Sequence, residues 1–156
     1  MFVYHFRLRK RMLAAGVCVL GLVLALAICL PGCRSDTNTE PVMVATQEQQ
    51  LAFLASLGWT ANATPVETLD LQLPQQWDGE WSAYVTLQND QSLPFADFAG
   101  KQVRRYTYAL TNYPGIDKGV QANLYIWEGQ LIGGDIMSLG ETSFQTGLTF
   151  PSQAKT

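Results

Sequence analysis

The sequence predicts an α+β domain, an antiparallel four-stranded sheet with two helices on one face, in the order α-β-α-β-β-β after an N-terminal signal or anchor segment. Three observations carry that expectation. Apolar residues recur at helical spacing in two stretches, and they alternate strictly with polar ones in others. Turn signatures at Tyr113-Pro114-Gly115 and Glu128-Gly129 then join the last three strands as hairpins.

Thr46-Gln47-Glu48-Gln49 has the Thr-x-x-Gln form of a capping box, and Leu51, Leu54 and Leu57 follow on one face with Phe53 beside them. Gly58 suits the left-handed position that ends such a helix, and Trp59 is placed to fold back on its last turn. Glu67 to Leu73 alternates, which predicts a strand with Leu69, Leu71 and Leu73 inward, closed by Pro74. Asp78 is the expected N-cap of a second helix, in which Trp77, Trp81, Tyr84, Leu87 and Gln88 recur at steps of three and four.

Val103 to Asn112 is rich in strand-forming residues, with Tyr106, Tyr108 and Leu110 on one side. Val120, Ala122, Leu124 and Ile126 alternate with Gln121, Asn123, Tyr125 and Trp127 in the next strand. Leu131 to Met137 is the return strand, where Gly133-Gly134 implies a bulge or a close backbone approach. Beyond Leu139 the chain is rich in Gly, Ser and Thr, and Phe144 and Leu148 are expected to pin it to the domain edge. The organisation is therefore residues 1–32 as a signal, 33–44 as a flexible tether, 45–150 as the domain and 151–156 as a loose tail.

Arg7, Arg9, Lys10 and Arg11 precede an uncharged run from Met12 to Leu30, and Leu30-Pro31-Gly32-Cys33 follows. That pattern resembles the lipobox of bacterial lipoproteins. The resemblance implies cleavage before Cys33 and a diacylglyceryl group on its thiol, with the positive charges holding the start of the chain in the cytoplasm. The alternative is an uncleaved span through residues 12–30, nearly long enough to cross a bilayer. Both readings place the domain outside the cytoplasm at a membrane, with membrane lipid as its first partner.

Six Lys and Arg and all thirteen Asp and Glu lie from Cys33 onward, so the mature chain carries a net charge of −7. Such a surface repels phosphate backbones, and nucleic acid is not an expected partner. Cys18 and Cys29 fall in the apolar run, Cys33 is the expected lipid site, and His5 is the only histidine. With no thiol or imidazole left in the domain, Ser-His-Asp and Cys-His chemistry, disulfides and Cys or His zinc sites are excluded there. No cofactor, no metal site and no catalytic residue is assigned.

The motifs Phe53-Leu54-Ala55-Ser56-Leu57-Gly58-Trp59, Arg105-Tyr106-Thr107-Tyr108, Thr111-Asn112-Tyr113-Pro114, Gln121-Ala122-Asn123-Leu124 and Ile132-Gly133-Gly134-Asp135 together resemble one bacterial family, domain of unknown function 4830. The resemblance spans about Thr46 to Leu148. It implies a small extracytoplasmic domain behind a membrane-targeting segment and brings no activity with it. The chain departs from the family pattern in having Met137 where Cys is common and Thr146 where His is common.

Two features are candidates for function. Gln121, Asn123, Tyr125 and Trp127 share one strand face, where rings flanked by amides would bind a sugar or a protein if exposed and would be core if a helix covers them. Asp135, after two glycines in an apolar strand, is the candidate acid, with a hydrogen-bonded structural role as its rival. Asp78, Glu80 and Glu128 are its conceivable partners in glycoside chemistry. Gly133-Gly134 lacks the strand-to-helix turn and Lys of a phosphate loop. Arg104 and Arg105 point to opposite faces, one expected solvated and the other in a salt bridge.

The favoured reading is a noncatalytic, lipid-tethered module that binds a protein or glycan of the envelope. A carboxylate-dependent hydrolase of an envelope glycan is the alternative, and an accessory or inhibitory subunit of a membrane complex is the third.

Overall fold

A computed structural model describes residues 40–140 and 143–151, and the statements below concern those residues. The signal or span, Cys33 and the end of the tail lie outside them. No helix among the described residues is long and apolar enough to cross a membrane.

The first helix, α1, runs Gln47–Ser56. Thr46 Oγ1 accepts from the Gln49 N–H at 3.3 Å while the Thr46 N–H donates to Gln49 Oε1 at 3.1 Å, so the capping box is complete. Gly58 ends the helix at φ +96°, and Trp59 N–H turns back to Leu54 O at 3.0 Å. The remaining elements are β1 (Glu67–Gln72), α2 (Glu80–Asp90), a 3-10 turn (Phe95–Phe98), β2 (Gln102–Ala109), β3 (Val120–Trp127), β4 (Gln130–Ser138) and β5 (Phe144–Thr146). The strands form one antiparallel meander in the order β1-β2-β3-β4-β5.

The sheet has five strands where four are expected. β5 pairs Phe144 with Ser138 and Thr146 with Ile136, and three residues, two of them exposed, are too short to show alternation in sequence. A second correction concerns the helices, which cover opposite faces rather than one. Tyr108 meets α1, its hydroxyl donating to Gln50 Oε1 at 2.6 Å, whereas α2 reaches Asp135, whose row includes Thr107. Neighbouring strand residues point to opposite sides, so α1 and α2 must lie on different faces.

Each face accordingly has its own core. Under α1 lie Leu54, Trp59, Tyr108, Ala122, Leu124, Ile136 and Leu148. Under α2 lie Leu73, Tyr84, Phe95, Val103, Tyr125 and Ile132. The second core reaches only the C-terminal end of β1, so Leu73 is buried, Leu71 is half-buried and Leu69 is exposed, against the expectation that all three point inward. Asp78 does not cap α2. Gly79 holds the N-cap position at φ +53° without a side-chain bond, and Asp78 contributes only its carbonyl, to the Trp81 N–H.

Glu128 and Gly129 make the expected hairpin turn with positive φ at both. Gly133-Gly134 gives both the bulge and the close approach. Tyr125 faces Gly133 and Ile126 faces Leu131, which leaves Ile132 as the extra residue. A Cβ on Gly133 would lie 2.5 Å from the Phe95 ring, and one on Gly134 would lie 2.9 Å from the Asn123 carbonyl oxygen. Gly134→Ala should therefore cost about 2 kcal/mol by overpacking, read from the urea midpoint.

The tether ends sooner than Val44. Met43 bridges Gln130, Val44 N–H donates to Gly129 O at 2.7 Å, and Leu131 N–H donates to Val42 O at 2.8 Å, with Val44 buried. Phe144 and Leu148 do hold the C-terminal stretch, Leu148 within the first core.

Candidate functional site

Across β2, β3 and β4 the register places Thr107 opposite Asn123 and Asn123 opposite Asp135. Three polar side chains in line beneath α2 must satisfy one another, because water does not reach them. Thr107 Oγ1 donates to Asn123 Oδ1 at 2.8 Å, and Asn123 Nδ2 donates to Asp135 Oδ2 at 3.1 Å. The hydroxyl of Tyr84, brought down from α2, donates to the other oxygen, Oδ1, at 2.8 Å. Asp135 is fully buried. Burial pushes its carboxyl above the ordinary range, opposed chiefly by the Tyr84 hydrogen bond. Burial also pushes the Tyr84 and Tyr125 hydroxyls up, with the Asp135 charge adding to both.

One row along, Arg105 stands opposite Tyr125 and forms an ion pair with Glu67. Arg104, on the other face, forms a two-point pair with Asp70 at 2.6 and 3.0 Å. Both arginines are thus paired, whereas one was expected to be solvated. The Arg104 hydrogen bond holds the Asp70 carboxyl below its usual range.

The four residues expected as a binding surface share their strand face, but that face is core. Asn123 and Tyr125 are buried under α2, and Gln121 is half-buried between Ala109 and Met137. Trp127 is half-buried, with the Phe98 ring 5.1 Å away and Lys101 Nζ 5.9 Å from its centre. Met137 offers its sulfur to Asn123 Nδ2 at 3.2 Å, and Thr146 lies exposed on β5.

Open hollows flank these residues. One of about 240 Å³ is lined by Glu80, Trp81, Tyr84, Tyr125 and Gln145. Tyr84 lines it and also holds Asp135, so the ring separates the acid from the opening. Another, of about 500 Å³, lies on the α1 side beyond that helix and includes Asp70, Arg104, Tyr106 and Glu128. Among the described residues no carboxylate is a hydrogen-bond partner of Asp135, whose oxygens are taken by Tyr84 and Asn123. Among the described residues no three of His, Cys, Asp and Glu are grouped to hold a metal ion.

Sequence reading missed Tyr84 as the partner of Asp135 and Thr107 as the partner of Asn123, and it missed three glutamines. Gln50 joins α1 to Tyr108 and to Val44 O. Gln88 Oε1 accepts from Gly134 N–H at 2.8 Å, and Gln91 Nε2 donates to Gly134 O at 3.0 Å. Gln50 and Gln88 fall on the apolar stripes of their helices, which was the available signal.

No curated protein and no solved structure matches the chain. The profile of the family described as a domain of unknown function, DUF4830, matches residues 53–136, from the second half of α1 to the last third of β4. That stretch is more than half of the chain and contains the whole buried polar row, and the chain belongs to the DUF4830 family.

Proposed function

We propose that this chain is a noncatalytic docking module held outside the cytoplasm by a lipid on Cys33. The basic cluster, the apolar run and Leu30-Pro31-Gly32-Cys33 support the anchor. Two acyl chains suffice for stable membrane attachment. Since Val42 is already part of the fold, the residues after Cys33 allow a reach of only about 30 Å from the bilayer.

The observation that carries the noncatalytic half is Asp135 itself. It is the most sequestered acid among the described residues, and both its oxygens are occupied by Tyr84 and Asn123. A general acid needs contact with a substrate oxygen, and a glycosidase needs a second carboxylate within about 5 to 10 Å on the other side of the scissile bond. Binding to a protein or glycan of the envelope requires neither.

Palmitate labelling of the full chain in bacterial cells tests the anchor. Incorporation is expected in the unaltered chain and lost in Cys33→Ala. Equal labelling of both, or none in either, would contradict it. Glycan hydrolysis by the purified chain that disappears in Asp135→Asn would contradict the noncatalytic half.

A further inference from the structure

The two edges of the sheet differ. On the β4 side every stretch is covered: Val42 to Val44 lies along Gly129 to Leu131, the amides of Gln88 and Gln91 take both backbone groups of Gly134, and β5 pairs with Ile136 to Ser138. On the other side β1 is the last strand, and among the described residues no backbone hydrogen bond reaches its outer edge. Leu73 N–H donates inward to Lys101 O, so the alternate residues Thr68, Asp70 and Gln72 turn their N–H and C=O groups outward.

Sheet edges are commonly guarded by Lys, Pro, a bulge or an inward charge. β1 reads Glu-Thr-Leu-Asp-Leu-Gln, without Lys or Pro, and its pairing with β2 is regular. Its two acids are neutralised from the inner side, Asp70 by Arg104 and Glu67 by Arg105. Two of the exposed large apolar residues, Val66 at 54% and Leu69 at 42%, stand on or beside it. The edge is open, flat, partly apolar and electrically quiet.

We propose that β1 is a docking edge through which two copies of this chain pair antiparallel about a two-fold axis at Leu69, joining their sheets into one. Three requirements limit the register, and among those left the axis at Leu69 sets the exposed Leu69 against its own copy. A continuous sheet keeps each face on its own side, so odd residues must meet odd and even must meet even. The outward groups of Thr68 and Asp70 must meet outward groups, and like charges must not stand opposite each other. With Leu69 on the axis, Thr68 and Asp70 of the other copy exchange their hydrogen bonds, Leu69 meets Leu69, and Glu67 faces Leu71. Shifting by one pair in one direction sets Asp70 against Asp70. A self-complementary patch of this kind is what a two-fold dimer needs. The inference deepens the docking reading by naming the partner, and tethering on a membrane raises the effective concentration at which so narrow an edge can pair.

The domain contains no cysteine, which makes the register readable by a single disulfide. A directly opposite pair without mutual hydrogen bonds has Cα atoms about 4.5 Å apart, within disulfide range. In membranes carrying the full chain, mild oxidation of Leu69→Cys should give a disulfide-linked dimer at least tenfold faster than Leu139→Cys, an exposed site away from β1. The unaltered chain serves as the blank for Cys18, Cys29 and Cys33. Adding Thr68→Pro, which removes an outward N–H while an edge strand tolerates the ring, should return the rate to that of Leu139→Cys with the melting temperature kept. Equal rates at Leu69→Cys and Leu139→Cys would overturn the proposal. So would an adduct of Leu69→Cys with a different protein in place of a second copy. Palmitate incorporation reads the anchor separately, so either half can fail alone.

Discussion

Phe95→Ala is expected to cost about 4 kcal/mol of stability, read as a fall in the urea midpoint with the slope unchanged. The ring is fully buried. Its neighbours are Tyr84 at 5.0 Å, Trp77 at 5.3 Å, Tyr125 at 5.4 Å and Trp81 at 6.1 Å between ring centres. Below it lies Gly133, which has no side chain to move into the space. A cavity enclosed by rigid rings and backbone collapses poorly, and that puts the cost near the upper part of the range for such truncations. Because Phe95 joins α2 to the sheet, the tryptophan fluorescence of Trp77 and Trp81 should shift with it. A loss below about 1 kcal/mol would mean that the second core does not hold the helix.

Asp135→Ala should be nearly as damaging, at about 3 kcal/mol, because it leaves the Tyr84 hydroxyl and the Asn123 amide buried without their acceptor. The acid also has a pH signature of definite sign. Burial raises its folded pKa above the unfolded one, so the folded chain holds the proton more tightly. Its contribution is fully present below the unfolded value, about pH 4, and is lost as the pH rises through the folded value. Asp70, whose pKa is lowered by Arg104, has the opposite slope, so the comparison must be a difference. The stability of the unaltered chain minus that of Asp135→Asn should fall with rising pH above 4, measured by urea unfolding across the acid range. A difference that rises would reverse the assigned cause.

Much of the fold is legible because it is local. The capping box at Thr46 and Gln49, the left-handed Gly58, the turn at Glu128-Gly129 and the alternation in β3 each determine one element from its own residues. The assignment of helices to faces is not local. β3 carries apolar Ala122, Leu124 and Ile126 on one face, while Asn123 and Gln121 on the other imitate a solvent side. Asn123 is buried because Thr107 and Asp135 come from the two neighbouring strands to satisfy it, with Tyr84 of α2 closing the row on Asp135. Nothing within β3 records that arrangement except Tyr125 and Trp127, whose rings on the polar side were the sign of a second core. The glutamines mislead in a similar way. Gln50 and Gln88 occupy positions where a core residue belongs, and their partners lie 58 and 46 residues away. β5 is invisible for a different reason, since three residues cannot display a period.

The candidate site was half legible. Asp135 after paired glycines stands out in the sequence as an acid with a structural alternative, and its row-mate Asn123 stands out on its strand face, whose burial the sequence leaves open. Tyr84, the residue that closes the site, reads in sequence only as one position of an amphipathic helix.

Asp135 belongs to a closed hydrogen-bonded row built for structure. A double-mutant cycle between Tyr84→Phe and Asp135→Ala, measured by urea unfolding at neutral pH, tests it most directly. A coupling of about 1 to 2 kcal/mol is expected, because each substitution removes the same bond. Strict additivity, within about 0.5 kcal/mol, would contradict it and leave Asp135 free for chemistry.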